Sequence, residues 1–227
     1  MHDRPPTGYA SFMAQDTLLR VPAGDVVLDA DVGRPARARA VVLFAHGSGS
    51  SRLSPRNRMV AGRLNAAGLA TVLADLLTKE EEQTDVITAE MRFDIALLSR
   101  RLTAVVDWTA GQPDLGGLPI GLFGASTGAA AALRTAAARP DQVGAVVSRG
   151  GRPDLAGAVL AEVRAPTLLL VGELVEQVAQ LNAAAAAALR APHELRVVPG
   201  AGHLFAEPGA LDRVASDAAE WFDTRLD

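Results

Sequence analysis

Cysteine is absent from the 227 residues, which excludes disulfide bonds, thiolate metal sites and a cysteine nucleophile. Basic residues are not in excess either: the chain has 22 Lys and Arg against 26 Asp and Glu, and its formal net charge is −4. This balance argues against a nucleic-acid or anionic-membrane surface. No apolar run approaches the roughly 20 residues that cross a bilayer, and residues 1–14 lack the apolar stretch of a signal peptide. We therefore expect a cytoplasmic protein.

Short apolar runs alternate with helical patterns along most of the chain. The runs lie at 40–45, 69–74, 120–123, 143–147, 167–171 and 195–198. Runs that are apolar on both faces are typical of parallel strands buried between helices. Two earlier segments, 17–21 and 26–31, flank Pro22-Ala23-Gly24 and predict an antiparallel pair.

Helices are predicted between these strands. Ser54-Pro55 is a helix start and Gly68 suits the end of that helix. Apolar residues then recur at helical spacing from Ile95 to Thr109, and further helices are predicted at 127–138, 174–190 and 209–222. The charged run from Lys79 to Glu82 is expected to be a solvated loop or a helix edge, and residues 76–90 could border a pocket.

These elements predict an α/β fold with one domain at 15–227 and a flexible tail at 1–14. The central sheet is expected to be mostly parallel, with about eight strands, an N-terminal antiparallel pair, helices on both faces and no large cap. Ligands of such sheets bind beyond the carboxyl ends of the strands. Candidate catalytic residues should therefore follow a strand directly.

The clearest such candidate is Ser126. Gly124-Ala125-Ser126-Thr127-Gly128 follows a predicted strand and precedes a predicted helix, which is the setting of the G-x-S-x-G nucleophile elbow. The glycines remove side chains that would collide with the neighbouring strand and helix, and the helix N-terminus favours developing negative charge. A glycine-rich turn with an incidental serine is the structural alternative.

His203 is the candidate base. It follows the last strand in Pro199-Gly200-Ala201-Gly202-His203, and it comes after Ser126, as the order serine, acid, histidine requires. His2 lies in the tail, His193 precedes a strand, and His46 comes before the serine. His46 is expected to be a buried hydrogen-bonding scaffold residue.

The loop after the strand at 40–45 reads His46-Gly47-Ser48-Gly49-Ser50-Ser51 and predicts half of an oxyanion hole. Its donor should be the N–H of Ser48, and the other donor should be the N–H of Thr127. A merely flexible loop is the alternative.

Arginines follow the predicted strand at 143–147 and the oxyanion loop. Arg149 could bind a substrate carboxylate, as could Arg52, Arg56 and Arg58 with less support. Two alternatives are equally compatible with the sequence: surface arginines in an arginine-rich chain, or a structural ion pair of Arg149 with Asp154 or Asp75.

Three carboxylates are candidates for the acid that orients His203. Of the carboxylates between Ser126 and His203, only Asp154, Glu173 and Glu176 follow a strand. Glu173, at a strand end, is the first choice, and Glu176 and Asp154 stay open as alternatives.

The chain resembles the dienelactone-hydrolase-like branch of the α/β-hydrolases, including small hydrolases that occur alone or fused to phosphoribosyltransferases. The resemblance is most specific at 46–58, 121–132, 148–154, 166–172 and 199–208. It implies an aspartate as triad acid at the position of Val175, in Gly172-Glu173-Leu174-Val175. Valine cannot accept the histidine N–H, so this position departs from the family pattern.

Two functions are compatible with these residues. The first is a serine hydrolase of a small carboxylic ester, thioester or lactone, with Ser126 as nucleophile and His203 as base. The second is a catalytically impaired relative that binds a small ligand or partner in the same pocket. No metal or cofactor pattern is present, since the glycines match neither a dinucleotide fingerprint nor a P-loop.

Overall fold

The structure is a computed structural model that describes residues 17–226; the tail predicted at 1–14 lies outside them. The described residues form one eight-stranded sheet and six α-helices. The strands are β1 (Thr17–Ala23), β2 (Val26–Gly33), β3 (Ala40–Ala45), β4 (Leu69–Ala74), β5 (Ile120–Ala125), β6 (Val143–Arg149), β7 (Thr167–Gly172) and β8 (His193–Val198). The helices are α1 (Pro55–Ala66), α2 (Lys79–Thr88), α3 (Ile95–Ala110), α4 (Thr127–Ala138), α5 (Glu176–Ala188) and α6 (Ala210–Arg225), with short 3-10 segments at Met91–Phe93 and Pro153–Glu162.

The sheet has the strand order β1-β2-β4-β3-β5-β6-β7-β8. β2 pairs antiparallel with both β1 and β4, and all other neighbours are parallel. The predicted fold class is therefore confirmed, including the N-terminal antiparallel pair. Because β3, β5, β6, β7 and β8 run in one direction, the loops that follow them meet at one edge.

The core lies on both faces of this sheet. Every residue of β3, β4, β5 and β7 is buried. Successive strand residues point to opposite faces: Leu122 packs in the cluster that includes Leu102 of α3 and Leu133 of α4. Phe123 packs on the other face, in the cluster that includes Val60 of α1 and Phe222 of α6. These two layers make the sheet a rigid platform for its loops.

The helix start predicted at Ser54-Pro55 is confirmed, because the Ser54 hydroxyl accepts the N–H of Asn57 at 3.3 Å. Of the two alternatives for the charged run at Lys79, the helix edge is confirmed, because the run forms the first turn of α2. Thr78 caps this helix by a reciprocal arrangement in which its hydroxyl accepts the N–H of Glu81, and the Glu81 carboxylate accepts the N–H of Thr78.

Two boundaries bear on the site. β5 extends to Ala125 and β6 to Arg149, each two residues further than predicted. Ser126 and Gly150 therefore follow their strands directly. Within residues 17–226, no helix combines the length and the apolar character that crossing a membrane requires.

Candidate active site

Ser126 lies in the turn between β5 and α4, at the carboxyl edge of the sheet. Its φ of 50° and ψ of −122° are sparsely populated for a residue with a side chain. Its N–H donates to the carbonyl of Arg149 at 3.3 Å, and its carbonyl accepts the N–H groups of Ala129 at 3.1 Å and Arg152 at 3.0 Å. These hydrogen bonds connect the strained turn to the end of β6 and to α4.

The glycines around Ser126 are required by close backbone approach. A Cβ at Gly124 would lie 2.5 Å from the Cα of Ala129, and a Cβ at Gly128 would lie 2.2 Å from the carbonyl oxygen of Ala45. Gly128 thus brings α4 against the end of β3, where the Gly47 loop begins. A Cβ at Gly47 would lie 3.0 Å from the Cβ of Ser126, so that loop passes directly beside the serine.

The two predicted oxyanion donors flank the serine in this arrangement. Thr127 is buried at the first position of α4, and Ser48 follows Gly47 in the neighbouring loop. Within residues 17–226, neither backbone N–H donates to a protein acceptor. Backbone N–H groups that lie beside a serine and have no protein acceptor can donate hydrogen bonds to the oxyanion of a tetrahedral intermediate.

His46 holds the oxyanion loop in place. Its Nε2 accepts the N–H of Leu76 at 3.0 Å, so the proton of the neutral ring is on Nδ1, which donates to the carbonyl of Gly47 at 3.0 Å. Burial lowers its pKa, which keeps the ring neutral. The prediction of a buried scaffold residue is confirmed, because both nitrogens are occupied by backbone groups.

His203 lies in the loop between β8 and α6, and the residue is exposed. Its Nδ1 faces the turn after β6, since a Cβ at Gly150 would lie 3.5 Å from that nitrogen. Removal of part of the ring from water lowers the pKa of His203, and the positive charges of Arg149 and Arg56 lower it further. The imidazole is therefore neutral near pH 7 and chemically able to take a proton.

The carboxylates considered for the triad are engaged elsewhere. Glu173 Oε2 accepts the backbone N–H of Gly200 at 2.7 Å. The Glu176 carboxylate accepts a hydrogen bond from the side-chain amide of Gln180 at 3.2 Å. Asp154 accepts two hydrogen bonds from the Arg152 guanidinium, at 2.9 and 2.8 Å. Among the described residues, no hydrogen bond joins a carboxylate to the ring of His203. The role of Glu173 as acid stays a prediction.

Val175 does not replace the missing acid. It precedes α5 with φ −119° and ψ 69° and provides no side-chain cap to the helix. Its N–H donates to the carbonyl of Gly172 at 3.2 Å. The position that carries an aspartate in the resembling family is thus occupied by an apolar side chain.

Arg149 is a buried cation to which the described residues supply no counter-ion. Only 8% of the residue is exposed, and Nε and Nη1 have no hydrogen-bond partner within the described part of the chain. Burial and the charge of Arg56 lower the pKa of Arg149 to about 10. The alternative of an ion pair is wrong, because Asp154 pairs with Arg152 and Asp75 with Arg52.

The arginines after the oxyanion loop fall into two groups. Arg52 contacts Asp75 at 2.6 Å and Asp31 at 3.4 Å, and Arg58 contacts Asp31 at 2.7 Å. Arg56, in the first turn of α1, has a buried Nε without a partner among the described residues. Arg56 and Arg149 therefore differ from Arg52 and Arg58 in having no carboxylate partner among the described residues.

One carboxylate near His203 was missed by the sequence reasoning. Glu207 comes after the histidine, whereas the search covered only residues before it. Its Oε2 is buried without a partner in the described region, and a Cβ at Gly202 would lie 3.0 Å from its Oε1. The only sequence signal for Glu207 was its position four residues after His203.

A cavity of about 240 Å³ adjoins the oxyanion loop. Its walls are the loop at 46–51 and part of the segment from Leu77 to Leu98, including Glu82 and Val86 of α2. The prediction that residues 76–90 border a pocket is confirmed. The cavity provides room beside Ser48 for a small substrate.

Comparison with known proteins agrees with this geometry. The model of the Dienelactone hydrolase family matches residues 28–225. A dienelactone hydrolase of Anabaena variabilis has a solved structure with a TM-score of 0.92 and 52% identity, covering 94% of this chain and 99% of that one. A dienelactone hydrolase-like promiscuous phosphotriesterase from metagenomic libraries, 18% identical with a TM-score of 0.75 over 93% and 98% of the two chains, shares the fold.

Among curated proteins, a Mycobacterium tuberculosis protein that carries the name of a phosphoribosyl transferase is 53% identical over 212 residues. The match covers 93% of this chain and 47% of the relative. The chain thus spans about half the length of the curated relatives it matches.

Proposed function

Because this chain belongs to the dienelactone hydrolase family, and its fold is that of hydrolases, we propose that it cleaves a small carboxylic ester, thioester or lactone through an acyl-enzyme on Ser126. One observation carries the proposal. Ser126 has a positive φ at the N-terminus of α4, between glycines where an added Cβ would clash with backbone atoms, and beside two backbone N–H groups that have no acceptor among the described residues.

The first half of the reaction acylates the serine. His203 Nε2 takes the hydroxyl proton of Ser126 as Oγ attacks the carbonyl carbon, and the N–H groups of Ser48 and Thr127 hold the resulting oxyanion. The oxyanion collapses, the bond to the leaving oxygen or sulfur breaks, and the leaving group receives the proton from His203.

The second half returns the enzyme to its starting state. Water approaches the acyl carbonyl, His203 takes one of its protons, and the hydroxide adds to the carbon. When the second tetrahedral intermediate collapses, the acid product leaves and the proton of His203 returns to Ser126 Oγ. The lowered pKa of His203 favours this role at neutral pH.

Arg149 and Arg56 suggest the charge of the substrate. A buried guanidinium with two unpartnered nitrogens is costly unless an anion pairs with it. The fork geometry of arginine suits a planar carboxylate. The proposed substrate therefore carries an anionic group.

A second candidate is a binding protein that no longer catalyses. Val175 and the absence of a carboxylate on His203 among the described residues favour it. Losing the triad acid can cost about 10⁴ in kcat, by analogy with serine proteases. Such a protein would keep the arginine pair as a ligand site.

The experiment that separates the two is intact-mass measurement after treatment with a fluorophosphonate, beside the variants Ser126→Ala and Val175→Asp. The hydrolase predicts rapid addition of one probe to the parent and none to Ser126→Ala. A parent that stays unlabelled while Val175→Asp labels would favour the binding protein. A cytoplasmic location and the absence of a nucleic-acid partner also stay predictions.

A further inference from the structure

The oxyanion donor Ser48 lies in a tight turn of the loop after β3. The N–H of Ser50 donates to the carbonyl of Gly47 at 3.2 Å, and Gly49 has a φ of 66°, which is the geometry of a type II β-turn whose second residue is Ser48. Such a turn fixes the direction of the Ser48 N–H only relative to the two ends of the loop. The groups that hold those ends therefore determine how this N–H lies beside Ser126.

The far end of the loop is held by the carboxylate of Asp75. Its Oδ1 accepts the backbone N–H of Arg52 at 2.6 Å, and its Oδ2 accepts a hydrogen bond from Nη1 of the same arginine at 2.6 Å. Only 14% of each side chain is exposed, so these charge-assisted bonds are little screened by water. One carboxylate thus holds both the main chain and the side chain of Arg52, two residues after the turn ends.

The start of the loop is held by the residue that follows Asp75. Leu76 donates its N–H to Nε2 of His46 at 3.0 Å, and Asp75 donates its own N–H to the carbonyl of Asp29 in β2 at 2.9 Å. Asp75 and Leu76 directly follow β4, which is buried along its whole length and pairs with β3. Both ends of the loop are therefore attached to one rigid place, the end of β4.

We propose that Asp75 is a positioning residue for hydrolysis, which aligns the Ser48 N–H with the oxyanion by holding Arg52. This inference rests on the proposed hydrolase function and deepens it. A Cβ at Gly47 would lie 3.0 Å from the Cβ of Ser126, so the loop is close enough to the serine for a small rotation to misplace the donor. A misplaced donor weakens binding of the transition state more than binding of the substrate, because the negative charge on the oxygen develops only during the reaction.

Asp75 also lines the cavity beside the oxyanion loop, so a direct contact with the substrate is the alternative role. Both of its carboxylate oxygens already accept hydrogen bonds from Arg52, which favours positioning. The two roles differ in kinetics: positioning acts on kcat, whereas a uniform contact with the substrate acts on KM.

The first measurement compares Asp75→Ala and Asp75→Asn in the hydrolysis of 4-nitrophenyl hexanoate. Asp75→Ala should lower kcat by about 10- to 100-fold with KM changed by less than about threefold, because complete loss of an oxyanion donor costs about 10²–10³ in kcat. Asp75→Asn should recover most of the lost rate, because its amide oxygen can accept the Arg52 N–H. Asp107→Ala is the matched control. It breaks a pair with Arg139 that also has two bonds, both of 2.7 Å, between α3 and the end of α4, and it should leave kcat and KM unchanged.

A second measurement separates alignment of the donor from a general loss of structure. Hexyl trifluoromethyl ketone adds to Ser126: the bond from Oγ to the ketone carbon forms, the hydroxyl proton moves to His203, and the ketone oxygen becomes an oxyanion. The inhibition constant should rise in Asp75→Ala by the factor by which kcat/KM falls, because both depend on the oxyanion hole. The acid limb of kcat/KM should not move, because the pKa of His203 is lowered by burial and by the charges of Arg149 and Arg56, none of which this substitution removes.

Urea unfolding shows whether Asp75→Ala folds. If it does not, Arg52→Met takes its place, since this variant keeps the backbone N–H of residue 52 and removes only the guanidinium that holds it on Asp75. A parallel loss of kcat and of affinity for the ketone is again expected.

Three outcomes would overturn the inference and leave the hydrolase function intact, provided that hydrolysis depends on Ser126. The first is an unchanged kcat in Asp75→Ala. The second is a raised KM at constant kcat, which would mean that Asp75 contacts the substrate, and the third is a lowered kcat with an unchanged inhibition constant, which would mean a structural effect alone. Absence of Ser126-dependent hydrolysis in the parent would remove the proposed function and this inference with it.

Discussion

The carboxylate of Glu173 accepts the backbone N–H of Gly200 at 2.7 Å. This bond ties the end of β7 to the turn that leads from β8 into the His203 loop. The carboxylate that the sequence singled out as triad acid therefore supports the backbone three residues before the histidine.

Glu173→Gln should consequently change kcat by less than about threefold, because a glutamine keeps an oxygen that can accept the Gly200 N–H, whereas loss of a triad acid costs about 10⁴. Steady-state hydrolysis of 4-nitrophenyl hexanoate checks this, with Glu176→Gln as the exposed control. A loss of a hundredfold or more in Glu173→Gln alone would identify Glu173 as the acid.

Gly128→Ala should destabilise the protein and abolish labelling of Ser126. The new Cβ would lie 2.2 Å from the carbonyl oxygen of Ala45, so α4 must move away from β3, at a cost of about 1–3 kcal/mol or more. Urea unfolding gives the free energy of unfolding, and intact mass after fluorophosphonate treatment gives the labelling.

Gly62→Ala is the matched control. Gly62 lies inside α1 with nothing within 4 Å of an added Cβ, and alanine is the better helix former by about 0.5–1 kcal/mol. This variant should be as stable as the parent or more so, with unchanged labelling. Equal destabilisation by both substitutions would contradict the tight contact at Gly128.

The pH dependence of kcat/KM should follow the neutral form of His203. Burial and the charges of Arg149 and Arg56 lower its pKa below the ordinary 6.5, so activity should be complete above that value and fall as the pH drops through the lowered pKa. Arg149→Met removes one of the two charges and should shift the acid limb to higher pH. NMR titration of the imidazole C–H signals checks the assignment, and an unchanged titration in Arg149→Met would contradict it.

His46→Ala should lower kcat without moving that acid limb. It leaves the N–H of Leu76 without its buried acceptor and releases the carbonyl of Gly47, at a cost in stability of about 1–3 kcal/mol. We expect a rate loss of about tenfold or more, as for a misaligned oxyanion donor. If the acid limb shifted instead, His46 would be a titrating catalytic group rather than a scaffold residue.

Local patterns were sufficient for much of this protein. β3, β4, β5 and β7 are buried on both faces, so their apolar runs identified them. The turn at Ser126 was recognisable because strand end, glycines and helix start lie within a few consecutive residues. The sequence left open whether the charged run at Lys79 belongs to a loop or a helix, because the residues of α2 show little amphipathic periodicity, although Thr78 and Glu81 have the spacing of a capping box.

Only the tertiary structure decided which charges are paired. Arg149, at the end of a strand, and Arg52, after the oxyanion loop, were both candidates for binding a substrate carboxylate, and the sequence did not show which of them is paired. Folding brings Asp75, from the end of β4, to Arg52 at 2.6 Å, and it brings another cation, Arg56, towards Arg149. Such pairings depend on contacts between distant segments, and the free energy of a buried charge depends on those neighbours, so residue type and spacing along the chain do not determine it.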